Sequence, residues 1–149
     1  MQLQTTVRDA DGNVLDDDRR TFNVPDLSGA ALTISTPSLL RARTVADARA
    51  IADGRPAVPF AGREFNRTDR LYVRFDVHGS ASKEAEVSAR LTTRAGATLR
   101  ELPVVSLNQG HQLEVPLTSI ARGDYLIAVT AAHGEERTRA LVPLRVLPF

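Results

Sequence analysis

The sequence predicts an all-β chain: an immunoglobulin-like antiparallel β-sandwich with an N-terminal β-hairpin and one short helix. Three observations predict it. Apolar residues recur at every second position through most of the chain, the period of a half-buried strand. Turn residues, chiefly Gly with Asp or Asn, fall between these stretches. And the first residues echo the last: one offset of 122, the distance from Gly12 to Gly134, puts Leu3 on Tyr125, Thr5 on Ile127, Val7 on Val129, Phe22 on Leu144 and Val24 on Val146. Each end is an alternating strand, a Gly-bearing polar turn and a second alternating strand running into a proline (Pro25, Pro148), which is a hairpin signature. Only the second copy has a full set of strands before it.

Taken in order, residues 2–9 and 19–24 read as hairpin strands. They are joined by Asp9-Ala10-Asp11-Gly12-Asn13 and the acidic Asp16-Asp17-Asp18. Residues 1–27 thus resemble the last two strands of a preceding domain plus a linker, Pro25-Asp26-Leu27-Ser28-Gly29, and residues 28–149 a complete sandwich. Ala31 to Ser35 reads as its first strand, with Leu32 and Ile34 on one face. Thr44 to Ala52 is the one helical stretch: Thr44 can cap, Asp47 holds the capping-box position, and Val45, Ala48 and Ile51 form a stripe. Asp53-Gly54-Arg55-Pro56 ends it. The helix is expected at a sheet edge or a sandwich end.

Period 2 then takes over. Leu71, Val73, Phe75 and Val77 alternate with Tyr72, Arg74, Asp76 and His78, and Ala85, Val87, Ala89 and Leu91 repeat the pattern. Strands follow from Thr98 to Leu102, through Leu113, Val115 and Leu117, from Tyr125 to Ala131, and from Thr138 to Val146. Seven or so short strands, each with one apolar face, describe two packed sheets. Gly123-Asp124-Tyr125, a turn leading into a tyrosine at the start of the penultimate strand, resembles the tyrosine corner of such sandwiches. Those three residues are expected to be structural.

Composition narrows function more than it reveals it. Lys and Arg number 19 against 18 Asp and Glu, a net charge of +1 that argues for neither nucleic acid nor an anionic membrane. With no cysteine, disulfides, thiolate metal sites and thiol catalysis are excluded. No apolar run approaches the roughly 20 residues of a membrane span. Met1-Gln2-Leu3-Gln4 has neither the basic start nor the apolar run of a signal peptide.

Asp9, Asp11, Asn13 and Asp16 offer alternating oxygen ligands for calcium, but Asp-Gly and Asn are also what a tight turn demands, and turn chemistry is the first reading. His78, His111 and His133 lack metal-ligand spacing. Arg122-Gly123-Asp124 and Asn66-Arg67-Thr68 are three-letter matches to adhesion and glycosylation motifs, and the turn already explains the first. No nucleophile elbow or phosphate loop is present, so no catalytic residue, cofactor or enzyme activity is expected. Arg41, Arg43, Arg49, Arg55, Arg63, Arg67 and Arg70 cluster, with Asp47, Asp53, Glu64 and Asp69 between them. Exposed aromatics for stacking on sugars are scarce: no Trp and two Tyr.

Four stretches carry a family resemblance: Val7-Arg8-Asp9-Ala10-Asp11-Gly12-Asn13, Arg20-Thr21-Phe22-Asn23-Val24-Pro25-Asp26-Leu27, Arg63-Glu64-Phe65-Asn66-Arg67-Thr68-Asp69-Arg70-Leu71 and Gly123-Asp124-Tyr125-Leu126. They resemble the C-terminal region of secreted bacterial proteins, of Acidobacteria and their relatives, that carry a von Willebrand factor A-type (VWA-related) domain. The resemblance implies a non-catalytic accessory sandwich, a spacer or binding tail, in an extracytoplasmic or secreted protein. The VWA domain and its Asp-x-Ser-x-Ser metal motif are absent from this sequence. The alternative is a protein- or carbohydrate-binding module using a surface patch near residues 41–70. The expected partners are protein, or a second copy through strand edges. The hairpin, a marginal structure alone, is expected to pack on the complete domain or to pair with a neighbouring chain.

Overall fold

The computed structural model describes residues 2–23 and 29–148. Val24 and the linker residues Pro25, Asp26, Leu27 and Ser28 lie outside the described residues. Strands take 53% of the chain and helix 8%, so the fold is all-β. Its elements are β1 (Gln2–Arg8), β2 (Val14–Thr21), β3 (Thr33–Ile34), β4 (Ser38–Ala42), α1 (Val45–Ala52), β5 (Glu64–Phe65), β6 (Arg70–Phe75), β7 (Val77–His78), β8 (Glu86–Thr93), β9 (Thr98–Leu102), β10 (Val104–Ser106), β11 (His111–Val115), β12 (Gly123–His133) and β13 (Glu136–Val146). A 3-10 turn at Leu117–Ser119 lies between the last two hairpins.

Two sheets face each other. One runs β10-β11-β6-β4 and the other β5-β13-β12-β8-β9, while β3 and β7 form a short ribbon beside them. The chain switches sheets at Pro103, where β9 ends and β10 begins. Neighbours are antiparallel except β5, which lies parallel to β13. The expected apolar row on each strand builds the core: Leu71, Val73 and Phe75 from β6 and Leu113 and Val115 from β11 meet Leu91, Ile127, Val129, Val142, Leu144 and Val146. Burial of this row is the main stabilising term, on the order of 2 kcal/mol for each large apolar side chain.

The strands missing from the sequence reading are β4, β5 and β10, while the single stretch read through residues 71–78 divides into β6 and β7, the latter pairing with β3. In β4 the run Leu39-Leu40 is buried on both sides, which erases the alternation. Leu39 enters the main core, whereas Leu40 points outward with Tyr72, its partner on β6. That outward pair is what the helix covers. Ala48 and Ile51 of α1 pack on Leu40, Ala42 and Tyr72, so the helix lies on the outer face of the four-stranded sheet, over its edge strand. Thr44 caps it as expected, its hydroxyl accepting from the Asp47 amide at 3.1 Å while Asp47 accepts from the Thr44 amide. Val45 is 78% exposed and does not belong to the stripe, because the buried face is one turn long.

The N-terminal hairpin departs from expectation in three ways. Asp16, Asp17 and Asp18 belong to strand β2, not to the loop. The loop is held by Asp9, whose carboxylate accepts from the amides of Asp11 and Asn13 at 3.0 and 2.8 Å, with Gly12 at φ +87°. Its register is also shifted: Leu3 pairs with Arg20, whereas Tyr125 pairs with Leu144, the counterpart of Phe22. The five-residue loop and a bulge at Val7/Arg8 account for that shift, since the closing hairpin turns on Gly134 and Glu135 alone. A two-residue shift preserves the facing of side chains. Leu3 and Val7 therefore share a face with Asp16, Asp18 and Arg20, the last two joined at 2.6 Å. The expected docking onto the sandwich is not observed: every residue of β1 and β2 is exposed, and the strands touch each other above all.

Candidate functional site

Tyr125 opens β12 half-buried against the main core, and its hydroxyl donates to the Ala121 carbonyl at 2.9 Å. Gly123 stands at φ +152° with the phenol ring 3.6 Å from where a Cβ would be, so glycine lets the chain turn under that ring. Asp124 accepts from Arg145 Nε at 2.7 Å across the β12–β13 ladder, and Arg145 also reaches Glu64 at 3.5 Å. The hydrogen bond from Arg145 holds the Asp124 carboxyl below the ordinary range, and Asp124 raises Arg145 in return. Both groups are open to solvent, so the pair organises a strand end and adds little stability. Its engagement also removes the Arg122-Gly123-Asp124 carboxylate from a free, extended tip.

The calcium alternative does not assemble. Asp9 spends both oxygens inside its loop, with Asn13 Nδ2 on Oδ2 at 3.0 Å. That amide, then the Asn13 backbone N–H, lowers the Asp9 pKa. Asp16 sits in β2 opposite Val7. Among the described residues no three of His, Asp or Glu are grouped to hold a metal ion. The histidines lie apart in chain and environment: His78 pairs with Thr33, His133 lies 3.8 Å from Glu84, and His111 stacks on Phe75 at 5.5 Å. His111 Nδ1 is buried without a hydrogen-bond partner among the described residues, and burial lowers the pKa of His111 against a smaller opposing effect of Asp76.

The arginines of residues 41–70 are largely committed. Arg41 stacks over the Phe60 ring at 3.8 Å, Arg55 and Arg70 sit 3.9 and 3.6 Å from Asp53 and Glu114, and Arg67 donates to the Thr118 carbonyl. A shallow cavity of about 300 Å³ lies beside α1, between Ala42–Val45, Asp69 and Leu117. A wider cleft of about 660 Å³ runs between Asp53-Gly54, Arg74 and the β10–β11 turn. Arg74 is the residue the sequence reading missed there. Its guanidinium donates to the Ile51 and Arg55 carbonyls at 2.8 and 2.7 Å and to Gln112 Oε1 at 2.7 Å. A cation thus closes the C-terminal end of α1 from a neighbouring strand.

No protein-family profile matches the sequence, and no curated protein is significantly similar to it. Among the described residues no helix is long and apolar enough to cross a membrane. The chain's chemistry therefore rests on its own surfaces. The one the sequence reading passed over is the outer face of the five-stranded sheet. Its signal was visible: in β13 the positions alternating with Thr138, Ala140 and Val142 are Arg137, Arg139 and Leu141.

Proposed function

We propose that this chain is a non-catalytic structural and interaction module, one sandwich of a tandem β-array in a larger extracytoplasmic bacterial protein of the VWA-related type. The observation that carries the reading is the N-terminal hairpin. Its first strand repeats the apolar row of β12, yet Leu3 and Val7 remain 47% and 48% exposed. A two-stranded ribbon is marginal in water, and the matching row of β12 packs in the core against the facing sheet. The hairpin then serves as the closing hairpin of a preceding sandwich. Against a simple repeat stands the Asp18–Arg20 pair, which occupies positions matching Ala140 and Val142; in the array it would lie at the rim of that preceding core.

The second reading, a binding module on the 41–70 patch, has less support, because most of those arginines already have protein partners and the patch offers one half-buried ring, Phe60. The test is hydrogen exchange on residues 1–149 beside a 29–149 truncation. In the array reading the hairpin amides exchange with little protection, and the truncated chain melts at the same temperature. Hairpin amides protected like those of β12, or a melting point lowered by truncation, would show that the hairpin belongs to this sandwich and sink the array.

A further inference from the structure

We infer that the outer face of the five-stranded sheet is a docking trough for an acidic peptide segment in extended conformation. The trough runs over β12, whose outward residues here are small: Ala128, Thr130 and Ala132. Long side chains rise on both sides, Arg137, Arg139 and Leu141 from β13 and Arg90 from β8. Ala128 and Thr92 are 4% and 3% exposed although they face outward, as the floor of a depression would be. The hollow measures about 300 Å³ and is lined by three arginines, three threonines, Gly96 and Ala128, with no carboxylate. Of the acids nearby, Glu101 is tied to Arg90 at 2.8 Å, and Glu86 stands opposite Ala132 beyond the lining. The side chains of Arg137 and Arg139 make no hydrogen bond or ion pair among the described residues.

The chemistry selects the occupant. Free guanidiniums and hydroxyls recognise oxyanions, and guanidinium takes carboxylate in a bidentate fork. No aromatic side chain lines the trough, which disfavours single-stranded nucleic acid and sugar rings, both held by stacking. Spacing points to peptide. Arg137 and Arg139 are alternate residues of one strand, about 7 Å apart, and alternate side chains of an extended peptide repeat at the same distance. The two rims are separated by two strand spacings, about 10 Å, room for one extended backbone. An Asp or Glu at every second position would meet both arginines while its backbone lies above Thr130 and Ala132.

The experiment uses the full chain and a fluorescent eight-residue peptide of alternating Asp and Thr, read by anisotropy at low salt. The expected result is saturable binding that weakens with added salt and falls by about tenfold or more in Arg137→Gln/Arg139→Gln, the worth of a lost charge-assisted contact. Thr130→Tyr, which fills the trough and leaves its charges intact, should lose binding as well while melting like the parent. Absence of saturable binding overturns the inference, as does binding indifferent to the arginine pair or to Thr130→Tyr. Tighter, arginine-dependent binding of a heparin octasaccharide or an oligothymidylate overturns it in favour of a polysaccharide or nucleic-acid face.

Discussion

Phe65→Ala is the sharpest test of how this sandwich is closed. Strand β5 is only two residues long and is the parallel edge of its sheet, held to β13 through the Arg145 and Leu147 amides, which donate to Arg63 and Phe65 carbonyls at 2.7 and 2.9 Å. Two hydrogen bonds at an edge contribute about 1 kcal/mol each, too little to order the crossing on their own. The anchor is the Phe65 ring, 0% exposed and edge-on to Phe60 at 5.4 Å. Truncating a buried phenylalanine to alanine costs about 3–5 kcal/mol, transfer and cavity together. For a domain of this size that corresponds to a fall in Tm of roughly 10–20 °C. Phe65→Leu keeps most of the volume and should cost about 1.5 kcal/mol or less. The assay is urea unfolding followed by circular dichroism and tyrosine fluorescence, since the chain has no tryptophan. A Phe65→Ala loss below about 1 kcal/mol, with unchanged m-value, would refute the argument that this ring holds the edge.

Two further predictions concern buried polar groups. Arg74→Met removes three hydrogen bonds that end on α1, its C-terminal loop and Gln112, and should cost about 2–3 kcal/mol. Amides of residues 48–55 should lose protection from hydrogen exchange, while those of β12 keep it apart from the global loss. For His111 the folded state resists protonation, because burial lowers its pKa below the ordinary 6.5. The unfolded chain then binds more protons below that value, so the stability contribution is complete above pH 6.5 and shrinks as pH falls from 6.5 toward the lowered pKa. Denaturant midpoints measured from pH 7.5 to 4.5 should diverge between the parent and His111→Phe over that interval, and parallel curves would show that His111 is not the group responsible.

The period of the apolar residues determined the class of this fold without help from tertiary contacts. Alternation through β6, β8, β12 and β13 leaves each strand one face to bury, and facing sheets are the solution that buries them. The helix over Val45–Ala52 was equally legible, because its capping box is a local exchange of hydrogen bonds between Thr44 and Asp47. Tertiary structure decided what alternation cannot encode. Leu39 and Leu40 are both buried because a helix covers the second face of β4, a packing of helix on strand that neither periodicity encodes. The two-residue strand β5 is too short to show a period, and it pairs along the open edge of β13, whereas the alternation through Val77 and His78 ran on from β6 without showing that β7 pairs with β3. The hairpin's shifted register came from its Asp9-stapled loop and its bulge, geometry that a gapless comparison of sequence leaves out. The trough over β12 also had to wait for the fold. Arg90, Arg137 and Arg139 come from strands separated by a reversal of the chain, and only lateral pairing across the small residues of β12 sets them around one depression.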